Sequence, residues 1–374
     1  MPGIKDILNV WKNVKEVDLR PYQESALTPV KLAIVGRPGV GRHTLAEQLR
    51  RDPSHPESKT ESAVLITDLN SADLAGAAEL IILMLDAASP EFEPEQAQAR
   101  KWVDAGKKVV AFINKIDLTE NPSFNSNSLG WEMQRVLRGS AIQPESVQRE
   151  LVQVIIDLLP ERQLALGRQF PLFRMAIANL VINEACFANA VYSFSTGVAE
   201  VIPLIGIPLN ITDMIVITKA QAFLVYKLGL SLGFPTRWED YVGEFGSVIG
   251  GGFMWRQLSR MLVGLIPVWG IVPKVAIAYS GTYVVGHVIL QWYLTGRHLT
   301  HPQMRAIYAQ SLESGKKIAQ NLAARLPRPR LGRRKVEQLQ ALNTKPCPFC
   351  GKANAPDAVF CQYCGQSFQP TLPE

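Results

Sequence analysis

The chain has 374 residues, of which 47% are hydrophobic and 19% are charged, and its formal net charge is +6. This length accommodates two domains with their own cores and a further small module. We expect no secretion signal, because the first residues mix charges into a helical pattern rather than forming an apolar run. We therefore expect a reducing, cytoplasmic environment for the water-exposed parts of the protein.

Residues 1–29 begin with an amphipathic segment. Ile4, Ile7, Leu8 and Trp11 recur at helical spacing and form one apolar face. We interpret this face as packing against the protein itself. A membrane-surface role is the weaker alternative, because acidic residues in the same segment oppose attraction to anionic lipid.

A glycine-rich segment follows the first predicted strand, residues 31–35. It reads Gly36-Arg37-Pro38-Gly39-Val40-Gly41-Arg42-His43-Thr44. A phosphate-binding loop directs backbone N–H groups and a helix N-terminus at phosphate oxygens, and it needs glycine where the chain turns sharply. Gly36, Gly39 and Gly41 meet that need, although an ordinary strand-to-helix turn is the alternative interpretation.

The residues after these glycines depart from the complete phosphate-loop motif, which continues with lysine and then serine or threonine. Arg42 keeps the positive charge in a bulkier, planar group. His43 is a poor ligand for magnesium, which prefers oxygen. Thr44 lies one residue too late to bind the metal, but its hydroxyl could contact an inner phosphate.

A second motif follows the predicted strand at residues 109–113. It reads Asn114-Lys115-Ile116-Asp117. The Asp117 carboxylate can accept paired hydrogen bonds from a purine ring N–H and an exocyclic amine, and only guanine presents both donors. The alternative is a helix start with Asp117 as its cap.

Three more apolar runs predict further strands, at residues 64–67, 80–86 and 136–141. Continuous apolar runs are typical of strands buried on both faces of a parallel sheet. The pattern predicts an α/β domain with a parallel sheet over residues 30–165.

From about residue 30 to residue 159 the chain resembles the translation-factor-like GTPase superfamily in the order and spacing of these strands and motifs. The resemblance implies a P-loop GTPase-like fold that binds GTP or GDP. It places Ser140 and Ala141 beside the guanine, together with Asn114, Lys115 and Asp117.

The chain also departs from that family in its switch regions. Residues 52–61 are too few for the family's first switch and its edge strand, and Asp68 is not followed by the expected glycine. Asp73 and Gly76 fit the same pattern only at a shifted position. Phosphoryl transfer needs magnesium, a clamping cation and a positioned water. We therefore expect nucleotide binding without efficient hydrolysis, and we regard a bound Mg²⁺ as doubtful.

Residues 166–310 are predicted to form an apolar, all-α domain. Residues 275–295 contain no Asp, Glu, Lys or Arg, a length that can cross a bilayer, and with residues 262–273 they could form a hairpin that enters the membrane. A soluble helical bundle with a very apolar core is the alternative. Cys186 is expected to be a buried, inert thiol.

Two segments of this region carry a second resemblance, at residues 207–213 and 266–270. With Thr218, Gln221 and Gly229 they resemble an uncharacterised apolar helical domain, domain of unknown function 697, which is commonly fused behind bacterial GTPase domains. The resemblance covers about residues 170–300. It implies a membrane partner and no chemistry, since members are described as membrane-associated.

Residues 311–345 are interpreted as a basic linker. Its positive charge is concentrated in Arg325, Arg328, Arg330, Arg333, Arg334 and Lys335. Proline and repulsive charge favour a solvated segment. Its functional alternatives are attraction to lipid headgroups or to nucleic acid, of which nucleic acid is disfavoured.

Residues 346–368 contain two cysteine pairs, Cys347/Cys350 and Cys361/Cys364, each followed by glycine. This spacing predicts two tight turns that bring four thiolates to one zinc ion. The alternative, two disulfides, does not suit a reducing compartment. The segment resembles the short zinc ribbons that end many prokaryotic proteins. A closed four-thiolate shell implies a structural or docking role, with a protein partner as one possible ligand of the ribbon.

Three hypotheses follow for the whole chain. The first is a membrane-associated guanine-nucleotide-binding protein whose nucleotide state is coupled to the helical domain, with the nucleotide domain and zinc ribbon in the cytoplasm. The second is a nucleotide-free scaffold. The third is a slow GTPase that obtains its missing parts from a partner or a dimer mate.

Overall fold

The structure, a computed structural model, describes residues 18–89, 91–119, 135–200, 210–237, 271–297 and 299–324, and near the C-terminus residues 345–347, 350, 353 and 354. Several predictions concern residues outside these ranges: the N-terminal helix, most of the basic linker, and Cys361 and Cys364. The same holds for residues 201–209 and 238–270.

The chain divides into two compact units. An α/β unit comprises Tyr22–Ile177 and Leu230–Phe234, and a helical unit comprises Met1–Pro21, Ala178–Gly229 and Pro235–Glu374.

The α/β unit is built on a parallel sheet. Its strands are β1 (Leu32–Gly36), β4 (Val64–Thr67), β5 (Leu80–Asp86), β6 (Lys108–Asn114) and β7 (Arg135–Arg138), while β2 (Arg51–Asp52) and β3 (His55–Lys59) form a separate hairpin. The five strands of the main sheet lie in the order β4-β1-β5-β6-β7, and every neighbouring pair is parallel. The predicted α/β class and parallel sheet are therefore confirmed.

The strands form where continuous apolar runs occur in the sequence. All five residues of β1 are buried, as are six of the seven residues in β5 and in β6. The last strand is shorter than predicted: it ends at Arg138, and the Gly139 N–H donates to Ile113 O at 2.9 Å. Ser140 and Ala141 consequently lie in the following loop rather than in the strand.

Helices cover the sheet. In the α/β unit they are α1 (Arg20–Leu27), α2 (Arg42–Arg50), α3 (Glu93–Asp104), α4 (Val152–Leu158) and α5 (Gln163–Gln169), with a 3₁₀ segment at Leu69–Ala77. Side chains of α3 and of the 3₁₀ segment share a core with alternate residues of the sheet, and its members include Trp102, Ala111 and Ile113. A layer of helix therefore packs on the sheet, as parallel sheets require.

The hairpin β2–β3 occupies the short segment between α2 and β4. The pairing is antiparallel, with Arg51 opposite Lys59 and Asp52 opposite His55, and the Ser54 N–H donates to Asp52 Oδ1 at 2.8 Å in the turn. It does not extend the main sheet, so β4 is one of the two edge strands among the described strands, with β7 at the other edge. Sequence analysis expected no edge strand here, but it did not predict this hairpin.

The helical unit contains α6 (Arg174–Glu200, which begins in the α/β unit), α7 (Asn210–Leu232), α8 (Ile271–Thr295) and α9 (His301–Ala324). α8 contacts each of the others. Asn189 Nδ2 of α6 donates to Thr282 Oγ1 at 2.8 Å, Tyr293 Oη donates to Val225 O of α7 at 3.3 Å, and Gly315 of α9 lies directly against Ala276. Cys186 is fully buried, as predicted.

α9 continues beyond residue 310, where the sequence analysis ends the helical domain. The reason is a buried stripe at helical spacing, formed by Met304, Tyr308, Ser311, Gly315 and Ala319. Residues 311–324 therefore form helix rather than linker.

The membrane contact predicted for residues 275–295 concerns α8. In the part of α8 whose burial is described, Thr295 is the one exposed residue and the others are buried or half-buried, so protein covers much of its apolar surface. Among the described residues, one helical segment is long and apolar enough to span a bilayer, Pro171–Ser195. Within it, a stretch of 18 residues has a mean hydropathy of 1.2, and 39% of that stretch is buried. A core helix of a soluble protein meets the same criterion. Membrane association therefore stays a prediction.

Candidate nucleotide site

The candidate site lies at the carboxyl ends of the parallel strands. The chain goes from β1 to β4 on one side of it, and then to β5 on the other side. Ligands in open α/β sheets bind where the strand order reverses in this way, outside the carboxyl ends of the strands. The glycine-rich segment follows β1, and Asn114 ends β6, so both predicted motifs lie at this edge.

The glycine-rich segment has the backbone that its sequence predicts. Gly39 and Gly41 have φ angles of 80° and 99°, in the left-handed region that favours glycine. A Cβ atom at Gly36 would lie 2.7 Å from Met84 O, and one at Gly41 would overlap the Asn114 amide. Close packing therefore also requires glycine at positions 36 and 41.

Helix α2 begins directly after this loop, with Gly41 as its N-cap and no side-chain cap. The first N–H groups of a helix lack intrahelical acceptors and attract anions. Arg42 and Thr44 are partly buried, and His43 is exposed. The predicted strand, loop and helix sequence is present, with an imidazole at the position where a magnesium-binding hydroxyl is expected.

Asn114 connects the two ends of the candidate site. Its side chain is 4% exposed. Its Nδ2 donates to Val40 O in the glycine-rich loop at 2.8 Å, and its Oδ1 accepts from the Ala141 N–H at 2.7 Å. One buried amide thus fixes the glycine-rich loop against the loop that is predicted to lie beside guanine.

Lys115 and Asp117 follow at the end of β6. Lys115 has a φ of 65°, unusual for a residue with a side chain, and its Nζ lies 2.5 Å from Asp86 Oδ2 at the end of β5. Asp117 is exposed in a short 3₁₀ turn, Ile116–Leu118. A non-glycine residue with a left-handed backbone, at the edge of the sheet where ligands bind, is typical of functional sites.

Ser140 and Ala141, which are predicted to lie beside the base, are in the loop after β7. Both are buried, at 1% exposure. The Ser140 N–H donates to Ser146 Oγ at 3.3 Å, which places the loop against the helical segment that leads into α4. The structure therefore brings the predicted base-reading residues to one edge of the sheet.

Sequence analysis missed one charged pair of this site. Arg37 of the glycine-rich loop forms a two-pronged ion pair with Glu95 of α3: Nε lies 2.5 Å from Oε1, and Nη2 donates to Oε2 at 2.8 Å. The Glu95 side chain is 3% exposed and that of Arg37 is 45% exposed. The pair borders a cavity of about 260 Å³ between the loop and α3, whose walls include Val40, Met84 and Asp86. The residues are 58 positions apart, so no local pattern reveals the pair.

The segment after β4 is held by its own hydrogen bonds. Asp68 Oδ1 accepts from the N–H groups of Asn70 and Ser71, at 2.8 and 3.1 Å, and so caps the 3₁₀ segment Leu69–Ala77. Asp73, in the shifted match to the family pattern, is exposed on that segment. In this arrangement Asp68 is a helix cap.

Only half of the predicted zinc set lies in described residues. Strands β8 (Lys345–Pro346) and β9 (Ala353–Asn354) pair antiparallel, so Cys347 and Cys350 lie in the connection between them. Cys347 is buried. Within the described part of the chain there is no cluster of three or more metal-binding side chains, and Cys361 and Cys364 lie outside it.

No protein-family model matches this sequence, and no curated protein is significantly similar to it. The two family resemblances therefore rest on the motifs alone.

Proposed function

We propose that the α/β unit binds guanine nucleotide and hydrolyses GTP slowly or not at all. The observation that carries the proposal is the double hydrogen bond of Asn114 to Val40 and Ala141. This amide joins a glycine loop of phosphate-binding geometry to a base end where Asp117 offers a carboxylate suited to guanine. In this proposal the fold is that of a degenerate P-loop GTPase.

Weak hydrolysis follows from the parts that surround the phosphates. His43 replaces a hydroxyl that would bind magnesium, and the residues after β4 are capped by Asp68 rather than free to hold a water molecule. The hairpin β2–β3 occupies the segment of the first switch. Without a metal clamp and a positioned water, little of the barrier to phosphoryl transfer is lowered.

The proposal extends to the whole chain. The nucleotide unit is followed by an apolar helical unit, and the segment Pro171–Ser195, which runs from the first unit into the second, has the length and hydropathy of a membrane segment. We propose that the protein associates with a membrane, that nucleotide state biases the helical unit, and that Cys347, Cys350, Cys361 and Cys364 hold one structural zinc on the cytoplasmic side.

A nucleotide-free scaffold is the second candidate function. It is favoured by the charge pairing at the site: Lys115 is paired with Asp86, and Arg37 is paired with Glu95. Two positively charged side chains at the candidate site are thus already neutralised by protein carboxylates. In that case the fold would serve as a docking surface.

Titration calorimetry of the full-length protein with GDP and GTP, with and without magnesium, tests the proposal. We expect GDP to bind at least as tightly as GTP, and Asp117→Ala to remove the preference for guanine over adenine nucleotides. Asp104→Ala removes an exposed carboxylate at the far end of α3 and is the matched control. Absence of heat with either nucleotide at high protein concentration would favour the scaffold.

A further inference from the structure

The phosphate loop is held by protein contacts on two sides. On one side Asn114 binds Val40 O, and on the other Arg37 is bound by Glu95. The first contact joins the loop to the strand that carries the base-reading residues. The second joins it to α3, an element that contributes no residue to the predicted nucleotide site.

The Arg37–Glu95 pair is suited to fixing a loop. A guanidinium that meets a carboxylate through two parallel contacts has its orientation defined as well as its distance. Glu95 is nearly inaccessible to water, and a buried carboxylate that loses its partner is strongly destabilised. The loop therefore cannot move away from α3 without a large energetic cost.

Glu95 is itself fixed. It lies in the first turn of α3, next to Phe92, which is 4% exposed, and the helix is anchored to the sheet by Ala99 and Trp102, at 3% and 5% exposure. Side chains that belong to a packed helix hold a binding loop more accurately than side chains on another loop.

The sequence lacks the groups through which a ligand usually orders such a loop, because Arg42 and His43 replace lysine and a metal-binding hydroxyl. We propose that Arg37 and Glu95 are a positioning pair that holds the phosphate loop in its nucleotide-ready conformation before nucleotide binds. This inference rests on the proposed function of the α/β unit. A loop that is already ordered does not have to be ordered at the expense of binding free energy.

A positioning pair and an electrostatic gate predict opposite changes in nucleotide affinity when Glu95 is neutralised. If Arg37 left Glu95 to bind phosphate, neutralising Glu95 would release the cation and strengthen the binding of nucleotides. If the pair positions the loop, the same change weakens binding. Glu95→Gln therefore separates the two roles.

The experiment uses the full-length protein and two readouts. Backbone amide order parameters of Gly39 and Gly41, measured by NMR without nucleotide, report on the loop itself. We expect values near 0.85 in the wild type and below about 0.6 in Glu95→Gln. Affinities for GDP and for guanosine report on the ligand. We expect GDP to bind about tenfold more weakly, with guanosine unchanged, because the loop contacts phosphate and not base.

Two further variants complete the test. Arg37→Lys keeps the charge beside Glu95 but not the paired geometry, and we expect an intermediate loss in both readouts, which also covers the case in which Glu95→Gln folds poorly. Glu79→Gln breaks another Arg–Glu pair of the same unit, with Arg162, whose Nε lies 2.9 Å from Glu79 Oε2. We expect it to leave both readouts unchanged.

Unchanged loop order in Glu95→Gln and Arg37→Lys, or tighter GDP binding by Glu95→Gln, overturns the positioning role. If the wild type binds no nucleotide, the proposed function fails, while the order parameters still decide whether the pair holds the loop.

Discussion

The side-chain amide of Asn114 forms hydrogen bonds through both its N–H donor and its oxygen acceptor. Its donor and its acceptor each meet a backbone group of a different loop, in a position that water hardly reaches. A carboxylate of the same shape could accept from Ala141 but could not donate to Val40 O. The amide is therefore required by the hydrogen bonds of the fold, independently of any ligand.

Asn114→Ala should lower the free energy of unfolding of the α/β unit by about 2–4 kcal/mol, because it leaves a buried carbonyl and a buried N–H without partners. Urea denaturation measures this loss. Asn70→Ala, at an exposed position after β4, should change the unfolding free energy by less than about 0.5 kcal/mol. Equal effects of the two substitutions would contradict the role assigned to Asn114.

Arg42 and His43 are the residues from which we predict that nucleotide binding depends only weakly on magnesium. The double change Arg42→Lys with His43→Ser restores a compact cation and a hydroxyl at the start of α2. We expect the affinity for GTP to become dependent on magnesium before any hydrolysis is gained. Calorimetry with and without magnesium measures this, and a wild-type protein that already turns over GTP rapidly would contradict the interpretation.

At the scale of elements, α8 and α9 approach closely because glycine allows it. A Cβ atom at Gly315 would lie 2.9 Å from both Cα and O of Ala276. Backbone atoms of a packed helix cannot rotate away as a flexible side chain can. The two helices must therefore separate to accept any larger residue at this position.

Gly315→Ala should destabilise the helical unit by about 1–3 kcal/mol through overpacking, despite the better helix propensity of alanine. Ser314→Ala, one residue earlier on the exposed face of α9, should be neutral. Thermal unfolding followed by circular dichroism compares them. A Gly315→Ala variant as stable as the wild type would show that α9 is free to shift on α8.

The elements that the sequence predicts correctly are those determined by residues close together in the chain. Strands β1, β4, β5 and β6 follow from apolar runs, and the start of α2 follows from the glycines before Arg42. The Arg37–Glu95 pair joins residues far apart in the chain, so it depends on how α3 packs. The hairpin β2–β3 is short and polar, with few apolar residues to indicate a strand.

At the scale of the molecule, the C-terminal module also combines a feature that local sequence predicts with one that depends on residues farther along the chain. The spacing of Cys347 and Cys350 predicts a tight turn, and they lie between two short paired strands. The zinc ion shared with Cys361 and Cys364 stays a prediction, since those two residues lie outside the described part of the chain.

We expect one zinc per chain after purification without chelators, measured by elemental analysis. Cys350→Ser should lower the amount of zinc per chain, because a three-thiolate site holds the ion less tightly. Unfolding of the α/β unit should be unaffected, since the cysteines belong to the other compact unit of the chain. Metal-free wild-type protein would exclude the zinc assignment.

The last prediction concerns the membrane. We expect the full-length protein to stay in the membrane fraction after a carbonate wash. Protease should reach both ends from the cytosolic side, because nucleotide and reduced thiolates both require the cytosol. The apolar segments between them must then cross an even number of times or enter without crossing. Because α8 is more buried than the segment Pro171–Ser195, which includes most of α6, we expect α6 rather than α8 to contact lipid.

Two exposed asparagines test that assignment. Asn183 lies on α6, midway along the Pro171–Ser195 window, and Asn321 lies near the end of α9. A lysine at the centre of a membrane helix raises the free energy of insertion by about 2.5–3.5 kcal/mol, and the polar amide of asparagine already accounts for part of this cost. A lysine in contact with water adds almost nothing. Asn183→Lys should therefore move protein into the carbonate supernatant, and Asn321→Lys should not. If the wild type is released completely, α6 is a helix of a soluble bundle, and the nucleotide unit acts on a partner in solution rather than at a membrane.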